Sequence, residues 1–319
     1  EIHIAAKGAG SENKAKFTVL NPNDNLVDWI LATISEMGAG WCPPGMIGVG
    51  VGGTAEKAML MAKESLMEPI NIQALIESGP VTEAEKLRIE LYDKINQMGI
   101  GAQGLGGLTT VLDVKVKDYP THAASLPVAI IPNCAATRHS HFVLDGSGPA
   151  EFKPPSLSDW PEVTRHVTSN TLHVNLDAIT TTDIQTWQPG DTLLLSGHLL
   201  TGRDTAHKKI AELINAKHPL PDGLCFKGRF IYYVGPVEPV KGEIVGPAGP
   251  TTATRMDKFT DMMLGQTGLL GMIGKAERGP SAIAAIKKYR SVSLIAVGGS
   301  AYLVSKAIKS SRIVAFEEL

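Results

Sequence analysis

The sequence has few of the features that mark secreted, membrane-spanning or nucleic-acid-binding proteins. Its 319 residues include only three cysteines, an odd number that leaves no complete disulfide framework and favours a reducing compartment, the cytoplasm or a mitochondrial matrix. No apolar run approaches the roughly 20 residues that a membrane-spanning helix needs, so we expect no membrane partner. The formal net charge is only −2 and no long basic run occurs, so we expect no nucleic-acid partner.

An initiator methionine and a signal peptide are also missing. Residues 1–6 and residues 311–316 have strand-like patterns that stand directly at the two ends, so we expect the sequence to be an excerpt of a longer polypeptide. What is present is an ordinary globular composition, 43% hydrophobic and 19% charged. A chain of this length can form two domains.

Strand-like and helix-like patterns alternate along most of the chain, which indicates an α/β layered fold. Residues 149–165 lack periodicity and are rich in turn formers, so we place a domain boundary there. This divides the chain into a first α/β domain at residues 1–150, a linker at 151–168 and a second α/β domain at 169–319. The predicted strands are residues 109–116, 126–131, 138–144, 172–176, 192–200, 230–234, 269–273, 292–296 and 311–315, and the predicted helices are residues 26–37, 55–67, 81–98, 181–187, 206–216, 252–264, 281–289 and 302–307.

Cys134 is a candidate reactive residue because of where it lies in this pattern. It follows a predicted buried strand, residues 126–131, which Pro132 should end because proline has no N–H to give to the sheet. Reactive side chains are often presented on turns at such strand ends. Arg138 and His139 come next, and their positive charge can favour a thiolate. Taken alone, Cys134 could also be an inert buried thiol.

Cys42 stands in a similar setting, on a glycine- and proline-rich turn before an apolar run. The residue after it, Pro43, makes a Cys-Pro pair that recurs in iron–sulfur ligand motifs. Two cysteines cannot close a tetrahedral structural metal site. Three thiolates could hold three irons of a cubane and leave the fourth iron open, where it acts as a Lewis acid rather than an electron carrier.

Three basic residues, Arg203, Arg255 and Lys275, stand at junctions between predicted elements rather than on helix faces. Cations that converge at strand ends suit a dicarboxylate, because guanidinium groups bind carboxylates through two hydrogen bonds. Any one of them alone could be a surface charge. Thr251 lies one helical turn before Arg255, so its hydroxyl shares that face and could serve proton transfer. A helix N-cap is the alternative for this threonine.

Three glycine-rich segments allow a different interpretation. Residues 7–14 form a predicted turn whose free N–H groups could bind a carboxylate or phosphate. Residues 48–53 and 99–104 both fit the G-x-G-x-x-G pattern of dinucleotide-binding proteins. No acidic residue stands out on a following strand end, and close backbone packing around a bulky inorganic centre would explain the glycines as well. A nucleotide-binding protein is therefore one alternative.

Together these residues resemble the class I, iron–sulfur-dependent fumarases of the fumarase and L-tartrate dehydratase family. The resemblance runs from the first residues to the last and crosses both predicted domains. The motifs that carry it are Lys-Gly-Ala-Gly-Ser at 7–11, Cys-Pro-Pro at 42–44, Gly-Ala-Gln-Gly-Leu-Gly-Gly at 101–107, His122, Asn-Cys-Ala-Ala-Thr-Arg at 133–138, Ser-Gly-His-Leu-Leu-Thr-Gly-Arg-Asp at 196–204, Gly-Pro-Thr-Thr-Ala-Thr-Arg-Met-Asp at 249–257 and Gly-Lys-Ala at 274–276.

The resemblance implies a [4Fe–4S] cluster with Cys42 and Cys134 as two of its three ligands. The family's third ligand, and an Asp, a Gln and an Arg of its active site, correspond to a stretch upstream of this sequence. Cys225 does not match that third position. The chain alone is therefore expected to be an incomplete enzyme.

The resemblance also implies a substrate site and a reaction. The reaction is the reversible hydration of fumarate, a small dicarboxylate, to (S)-malate by a homodimer whose second domain is a swivelling β/β/α unit. The alternatives are a dehydratase of L-tartrate or of a mesaconate-type substrate, and a non-catalytic iron–sulfur scaffold or redox sensor. The implied site residues are Thr251 as the catalytic base, His122 as an active-site histidine, Gly10 as a backbone contact, and Arg203, Arg255 and Lys275 as partners of the substrate carboxylates.

Overall fold

The computed structural model describes residues 2–149, 171–240, 242–297 and 300–319. Helices and strands alternate through these residues, so the predicted α/β class is confirmed. The predicted linker, residues 151–168, lies outside them. We call the described residues before the linker the first half of the chain and those after it the second half. None of the described helices combines the length and the apolar character that crossing a membrane requires.

The first half contains a four-stranded mixed sheet. Its strands are β1 Lys16–Leu20, β2 Gly45–Gly52, β3 Val111–Tyr119 and β4 Leu126–Cys134, and its helices are α1 Ala9–Glu12, α2 Leu26–Met37, α3 Ala55–Ser65, α4 Ile72–Ser78 and α5 Glu83–Gln97. The strand order is β1-β4-β2-β3. β4 runs antiparallel to β1 and β2, whereas β2 and β3 are parallel.

β2 is a buried inner strand that separates two packed layers of helices. Ile47 and Val49 pack on the face covered by α2 and α5. Gly48 and Gly50 point to the other face, where a Cβ at Gly50 would overlap the carbonyl oxygen of Ala58 in α3. The glycines of this pattern therefore let α3 pack closely on the strand. That packing accounts for them without a nucleotide or an inorganic centre.

The second half contains a four-stranded parallel sheet and a two-stranded parallel sheet. The strands are β5 Leu172–Asn175, β6 Leu193–Ser196, β7 Leu200–Thr201, β8 Phe230–Tyr232, β9 Gly271–Gly274 and β10 Val292–Ile295, and the helices are α6 Thr181–Ile184, α7 Asp204–Asn215, α8 Asp257–Thr267, α9 Pro280–Tyr289 and α10 Ala301–Ala307. The larger sheet has the order β10-β9-β8-β7, and β5 pairs with β6. Because β7 to β10 are all parallel, their C-terminal ends share one edge.

Each face of the larger sheet is covered by a different layer. Helices α7, α8 and α9 pack on one face through Ile210, Met263 and Ala285. The other face is covered by β5, β6 and α6, where Ile184 joins a core with Phe230. The second half is thus built as two β layers and one α layer.

Pro132 does not end its strand as predicted. β4 continues through Pro132, which is opposite Ile47 of β2, and ends at Cys134. On the other side of β4, the pairing with β1 reaches only as far as Ile130. Pro132 therefore lies where one side of β4 is a sheet edge, a position at which a missing N–H is tolerated. Cys134 is the last residue of the strand and the first residue of a turn, because its carbonyl oxygen accepts the N–H of Thr137 over 3.2 Å.

Several other predicted strands are wrong. Residues 2–6, 138–144 and 311–315 are irregular, and the strand predicted at 192–200 is two short strands, β6 and β7, in different sheets. Alternating apolar residues are not sufficient for a strand, because the backbone also needs a partner for its hydrogen bonds.

Candidate functional site

The start of β2 and the end of β4 lie side by side at one edge of the first sheet. Gly45, the first residue of β2, is opposite Cys134, the last residue of β4. Cys42 is three residues before Gly45, so the strand pairing brings both cysteines to this edge. Both are free thiols.

Cys42 is buried in an unusual backbone conformation. Its φ of 65° is in the left-handed region, which is unfavourable for any residue other than glycine. Its N–H donates to the carbonyl oxygen of Ala39 over 3.0 Å, which closes the turn. Burial raises the pKa of the Cys42 thiol, the positive charge of Lys275 opposes that shift, and the negative charge of Cys134 adds to it.

Lys275 brings the second half of the chain to Cys42. It directly follows β9, and its Nζ lies 2.5 Å from the Sγ of Cys42. A Cβ on Gly10 would lie 3.3 Å from the same Nζ. The backbone of α1, the Cys42 turn and the end of β9 therefore meet at one place. A cation in contact with a thiol favours the thiolate form.

Thr251 is fixed beside Lys275 by two backbone hydrogen bonds. Its N–H donates to the carbonyl oxygen of Tyr233 over 2.7 Å, and its carbonyl accepts the N–H of Lys275 over 3.1 Å. The residue is buried. It is not a helix N-cap, because the 3-10 helix Ala253–Met256 has Thr252 in that position.

Arg203 and Arg255 lie close to each other in the second half. Arg203 follows β7, and its side chain lies against Gly235, where a Cβ would be 2.8 Å from the arginine Nε. Arg255 binds the carboxylate of Asp204 through Nε, over 2.9 Å, and through Nη2. Because Asp204 directly follows Arg203, this ion pair joins the two arginine segments.

His122 lies at the opposite edge of the first sheet. It follows β3, whose last residue, Tyr119, is opposite Gly52 at the end of β2. Cys42 precedes the start of β2, so the length of that strand, about 25 Å at about 3.3 Å per residue, separates it from His122. His122 instead lines an open cleft with Lys57. Within one chain, the structure therefore does not bring His122 together with the two cysteines.

Two residues at this site, the half-buried Lys7 and the buried Gln103, were not singled out from the sequence. Lys7 donates to Ser11 and pairs with Glu12, both over 2.9 Å. Burial lowers the pKa of Lys7, and the negative charges of Glu12 and of the nearby Cys134 oppose that shift. Gln103 is buried against the Cys42 turn. Both residues belong to glycine-rich motifs, and in each motif the glycines were the only visible signal.

Comparison with known proteins agrees with these motifs. A family model described as "Fumarate hydratase (Fumerase)" matches residues 1–143, and another described as "Fumarase C-terminus" matches residues 146–319. The "Fumarate hydratase class I, anaerobic" of Escherichia coli (strain K12) is 29% identical over 98% of this chain and 59% of its own length. The chain belongs to the class I fumarate hydratase family.

Other relatives include fumarate hydratases and a protein with a different named substrate. The "Fumarate hydratase 2" of Leishmania major is 32% identical over 100% of this chain and 58% of its own length. A Methanocaldococcus jannaschii protein that is named as the alpha subunit of an L(+)-tartrate dehydratase is 43% identical over 44% of this chain and 49% of its own length. The chain spans 58% and 59% of the first two relatives' lengths.

The chain has donors that suit an iron–sulfur cluster. Cys42 and Cys134 offer two soft thiolates at one sheet edge, and thiolates are the usual ligands of such clusters. Within the described ranges, no group of three or more His, Cys, Asp or Glu residues is arranged to bind a metal ion. Cys225 is exposed and lies before the start of β8, whereas Lys275 lies after the end of β9. Because β8 and β9 are parallel, Cys225 lies towards the end of the sheet opposite to Lys275. A cluster bound by the two thiols therefore needs a further ligand.

Proposed function

We propose that the protein catalyses the reversible hydration of fumarate to (S)-malate. The observation that carries this proposal is the 2.5 Å contact between Lys275 Nζ and Cys42 Sγ. It places a cation from a strand end of the second half on a candidate iron ligand of the first half. A substrate carboxylate bound by Lys275 would then lie beside a metal held by Cys42. Relatives along nearly the whole chain are named as fumarate hydratases.

We propose that Cys42 and Cys134 bind a [4Fe–4S] cluster. When bound, such a cluster supplies an open iron that acts as a Lewis acid toward the substrate hydroxyl. The chain contributes two thiols fixed at neighbouring strand ends, with Lys275 and Lys7 placing positive charge near them. Because all three cysteines of the chain are free thiols, we place the protein in a reducing compartment.

Three cations, Arg203, Arg255 and Lys275, are proposed to bind the two carboxylates of the substrate. Removing a proton from the carbon next to a carboxylate moves negative charge onto that carboxylate. Fixed cations therefore stabilise the transition state more than the ground state. The two hydrogen bonds that Arg255 donates to Asp204 fix the plane of its guanidinium group. Gly10, which has no side chain, leaves room for a substrate group next to Lys275.

Thr251 is proposed to remove that proton in the dehydration direction. Its main chain is fixed between Tyr233 and Lys275, so the position of its hydroxyl is limited to rotation of one side-chain bond. The positive charge of Lys275 can stabilise the alkoxide that proton transfer requires. Thr251 is therefore proposed as the base, and the cations as the groups that receive the developing charge.

The substitution of Thr251 tests this function directly. The full-length protein, reconstituted anaerobically with iron and sulfide, should convert malate to fumarate, which is followed by ultraviolet absorbance. Thr251→Val should lower kcat by about 10²- to 10⁴-fold, the usual contribution of a positioned acid–base group. Thr251→Ser, which keeps a hydroxyl, should retain most of the activity. A Thr251→Val protein that turned over at nearly the parent rate would exclude this threonine as the base.

A second candidate substrate is favoured by one observation. The 43% identity to a protein named as an L(+)-tartrate dehydratase subunit extends over 145 aligned positions and 44% of this chain. The same assay with L-tartrate, and with mesaconate in the hydration direction, gives a kcat/KM value for each substrate. Comparison of these values with that for malate identifies the preferred substrate. A reconstituted protein that binds its cluster and converts none of them would be a scaffold or a redox sensor, and the hydro-lyase proposal would fail.

We also propose the domain limits of residues 1–150 and 169–319, joined by a linker at 151–168. The family models, which divide the chain between residues 143 and 146, support a boundary in this region. The second domain is proposed to swivel relative to the first. The proposed assembly is a homodimer. A histidine about 25 Å from Cys42 in its own chain can take part in catalysis only at the site of a second copy, which is the role that we propose for His122.

A further inference from the structure

Gln103 has a left-handed backbone conformation, which the glycines near it in the sequence would adopt more easily. It belongs to a glycine-rich segment, Gly101-Ala102-Gln103-Gly104, and has a φ of 57°. This left-handed conformation is unfavourable for a residue with a side chain. Gln103 is nevertheless 3% exposed, so its amide is held inside the protein. A left-handed glutamine among glycines indicates that the side chain has a specific role.

The side chain and the backbone of Gln103 bind the same atom. The backbone N–H donates to the carbonyl oxygen of Pro43 over 2.7 Å, and Nε2 donates to that oxygen over 3.0 Å. Pro43 directly follows Cys42, which is itself left-handed. Two residues in unfavourable conformations are therefore joined through one carbonyl group.

The contact extends along the whole Cys42 turn. A Cβ on Gly104 would lie 2.9 Å from the Cβ of Ala39, whose carbonyl accepts the N–H of Cys42. The segment around Gln103 thus touches the turn at both ends, at Ala39 and at Pro43. The second half of the chain also contacts this turn, because Lys275 lies against the Cys42 sulfur.

The oxygen atom of the Gln103 side chain indicates that this residue does more than stabilise the fold. The Oε1 of Gln103 is buried and, within the described ranges, accepts no hydrogen bond. A buried acceptor without a partner is unfavourable, and native proteins contain few of them. An apolar residue at this position would avoid that penalty, but it could not donate to Pro43.

We propose that Gln103 is a positioning residue that fixes the Cys42 turn in the conformation in which the sulfur can bind a metal. The inference rests on the proposed role of Cys42 as a cluster ligand. Without the Nε2 hydrogen bond, the left-handed Cys42 can relax toward the ordinary backbone region, and its sulfur leaves the edge that it shares with Cys134. A ligand that is fixed before the cluster binds keeps the cluster more firmly than a mobile one.

Two substitutions separate the side chain from the backbone. Gln103→Gly keeps the N–H that binds Pro43 and relieves the unfavourable φ, so a role confined to the backbone predicts an unchanged or better fixed turn. Gln103→Glu keeps the size of the side chain but replaces the donor with a carboxylate oxygen, which repels the carbonyl. Leu105→Ala, at an exposed position of the same segment, is the matched control.

The readout is the alkylation rate of each cysteine in the metal-free full-length protein, measured by peptide mass spectrometry. We expect Cys42 to react about three- to tenfold faster in both Gln103 variants, the effect of losing one hydrogen bond of ordinary strength. The exposed Cys225 should keep its rate and serves as the internal reference. In the reconstituted protein, iron release to a chelator should accelerate by a similar factor. Leu105→Ala should change neither rate.

Two results would overturn the inference. One is a Gln103→Gly protein in which Cys42 reacts at the parent rate. The other is an equal acceleration at Cys42 and Cys134 relative to Cys225, which would show general destabilisation instead of a local effect on one turn. Because alkylation needs neither cluster nor substrate, its outcome is independent of the activity assay. A protein that passes this test and converts no substrate would refute the proposed function alone.

Discussion

Buried polar atoms without partners lie next to residues of the candidate site. Among the described side chains, Trp41, Gln103 and His207 each have one such atom. Trp41 directly precedes Cys42, and Gln103 binds the turn that follows it. The Nδ1 of His207 lies 2.9 Å from the carbonyl oxygen of Arg203 and therefore carries the proton, which leaves Nε2 unpaired. At the scale of single residues, each of these unpaired atoms lowers the stability of the fold, and each belongs to a residue that lies beside the candidate site.

His207 should make the stability of the protein depend on pH. Burial lowers the pKa of His207 below its ordinary value of 6.5, because the charged imidazolium is poorly solvated there. The unfolded chain therefore takes up this proton more readily than the folded one. Its contribution to stability is fully present above pH 6.5 and is lost as the pH falls below that value. The charged groups that act on this ring are Asp204 and Arg278.

His207→Asn tests this dependence, because asparagine does not titrate and can still donate an N–H to Arg203. Urea unfolding at about pH 7.5 and about pH 5.5 should show a larger loss of stability in the parent protein than in the variant. Burial also lowers the pKa of His139, so a smaller dependence should persist in the variant. Equal losses in the two proteins would contradict the prediction.

Asp113 joins three elements of the first half through buried charges. It has no exposed surface and pairs with Arg88 of α5 and with Lys115 of β3, each over 3.0 Å. It also accepts the N–H of Asn71, which precedes α4, over 2.9 Å. These bonds attach α4 and α5 to β3, an edge strand of the sheet. At the scale of elements, one carboxylate therefore fixes two helices on one strand.

Asp113→Ala should destabilise the protein by about 3–5 kcal/mol, because Arg88 and Lys115 would stay buried without a counter-charge. Glu90→Ala is the matched control: it removes a half-exposed ion pair with Lys94 on α5 and should change the free energy of unfolding by less than about 0.5 kcal/mol. Urea denaturation gives both values. Similar losses for the two variants would show that burial of the charges is unimportant.

Elements with a strong local signal were predicted from the sequence. The helix expected at residues 26–37 has the bounds of α2, and Asn25 caps it by accepting two backbone N–H bonds. Pairing between distant strands gave no local signal. Pro132 is tolerated because the pairing of β1 with β4 ends at Ile130, which leaves that side of Pro132 without a partner strand. The residue of β1 that ends this pairing, Lys16, is more than a hundred positions away in the sequence.

The reactive and charged residues of the candidate site could be predicted from the sequence, but the residue that positions the Cys42 turn could not. Cys42, Cys134 and Lys275 stand out by residue type, and the structure brings them to one place. Gln103 acts through a left-handed backbone conformation, which residue type alone does not reveal. The distance between His122 and Cys42 was not predictable, because it depends on the direction of β3 relative to β2. Strand direction is a property of the tertiary fold.

At the scale of the whole molecule, the candidate site is made by both halves of the chain. The first half provides the two thiols and the second half provides Lys275 and Thr251, to which Arg203 and Arg255 are proposed to be added. Contacts besides Lys275 also cross between the halves, since Glu277 accepts the N–H of Ala39 over 3.4 Å. His122 is left outside this arrangement within a single copy.

Mixed dimers test the proposed origin of His122 in a second copy. His122→Asn and Thr251→Val should each be nearly inactive. Their co-expression should restore about a quarter of the parent activity, because half of the symmetric dimers are mixed and each mixed dimer has one intact site. The control is co-expression of Thr251→Val with Lys275→Met, which should restore nothing because both changes affect the same copy's site. No recovery in the first mixture, or full activity of His122→Asn alone, would exclude the proposal.

The contact between Lys275 and Cys42 also has a consequence for access. An ammonium group 2.5 Å from a sulfur leaves no passage between them. A ligand that is to occupy the space beside the sulfur must first displace the Lys275 ammonium from it. An entering carboxylate can do so by offering the ammonium a new negative partner, so a neutral analogue of the same shape should enter less readily.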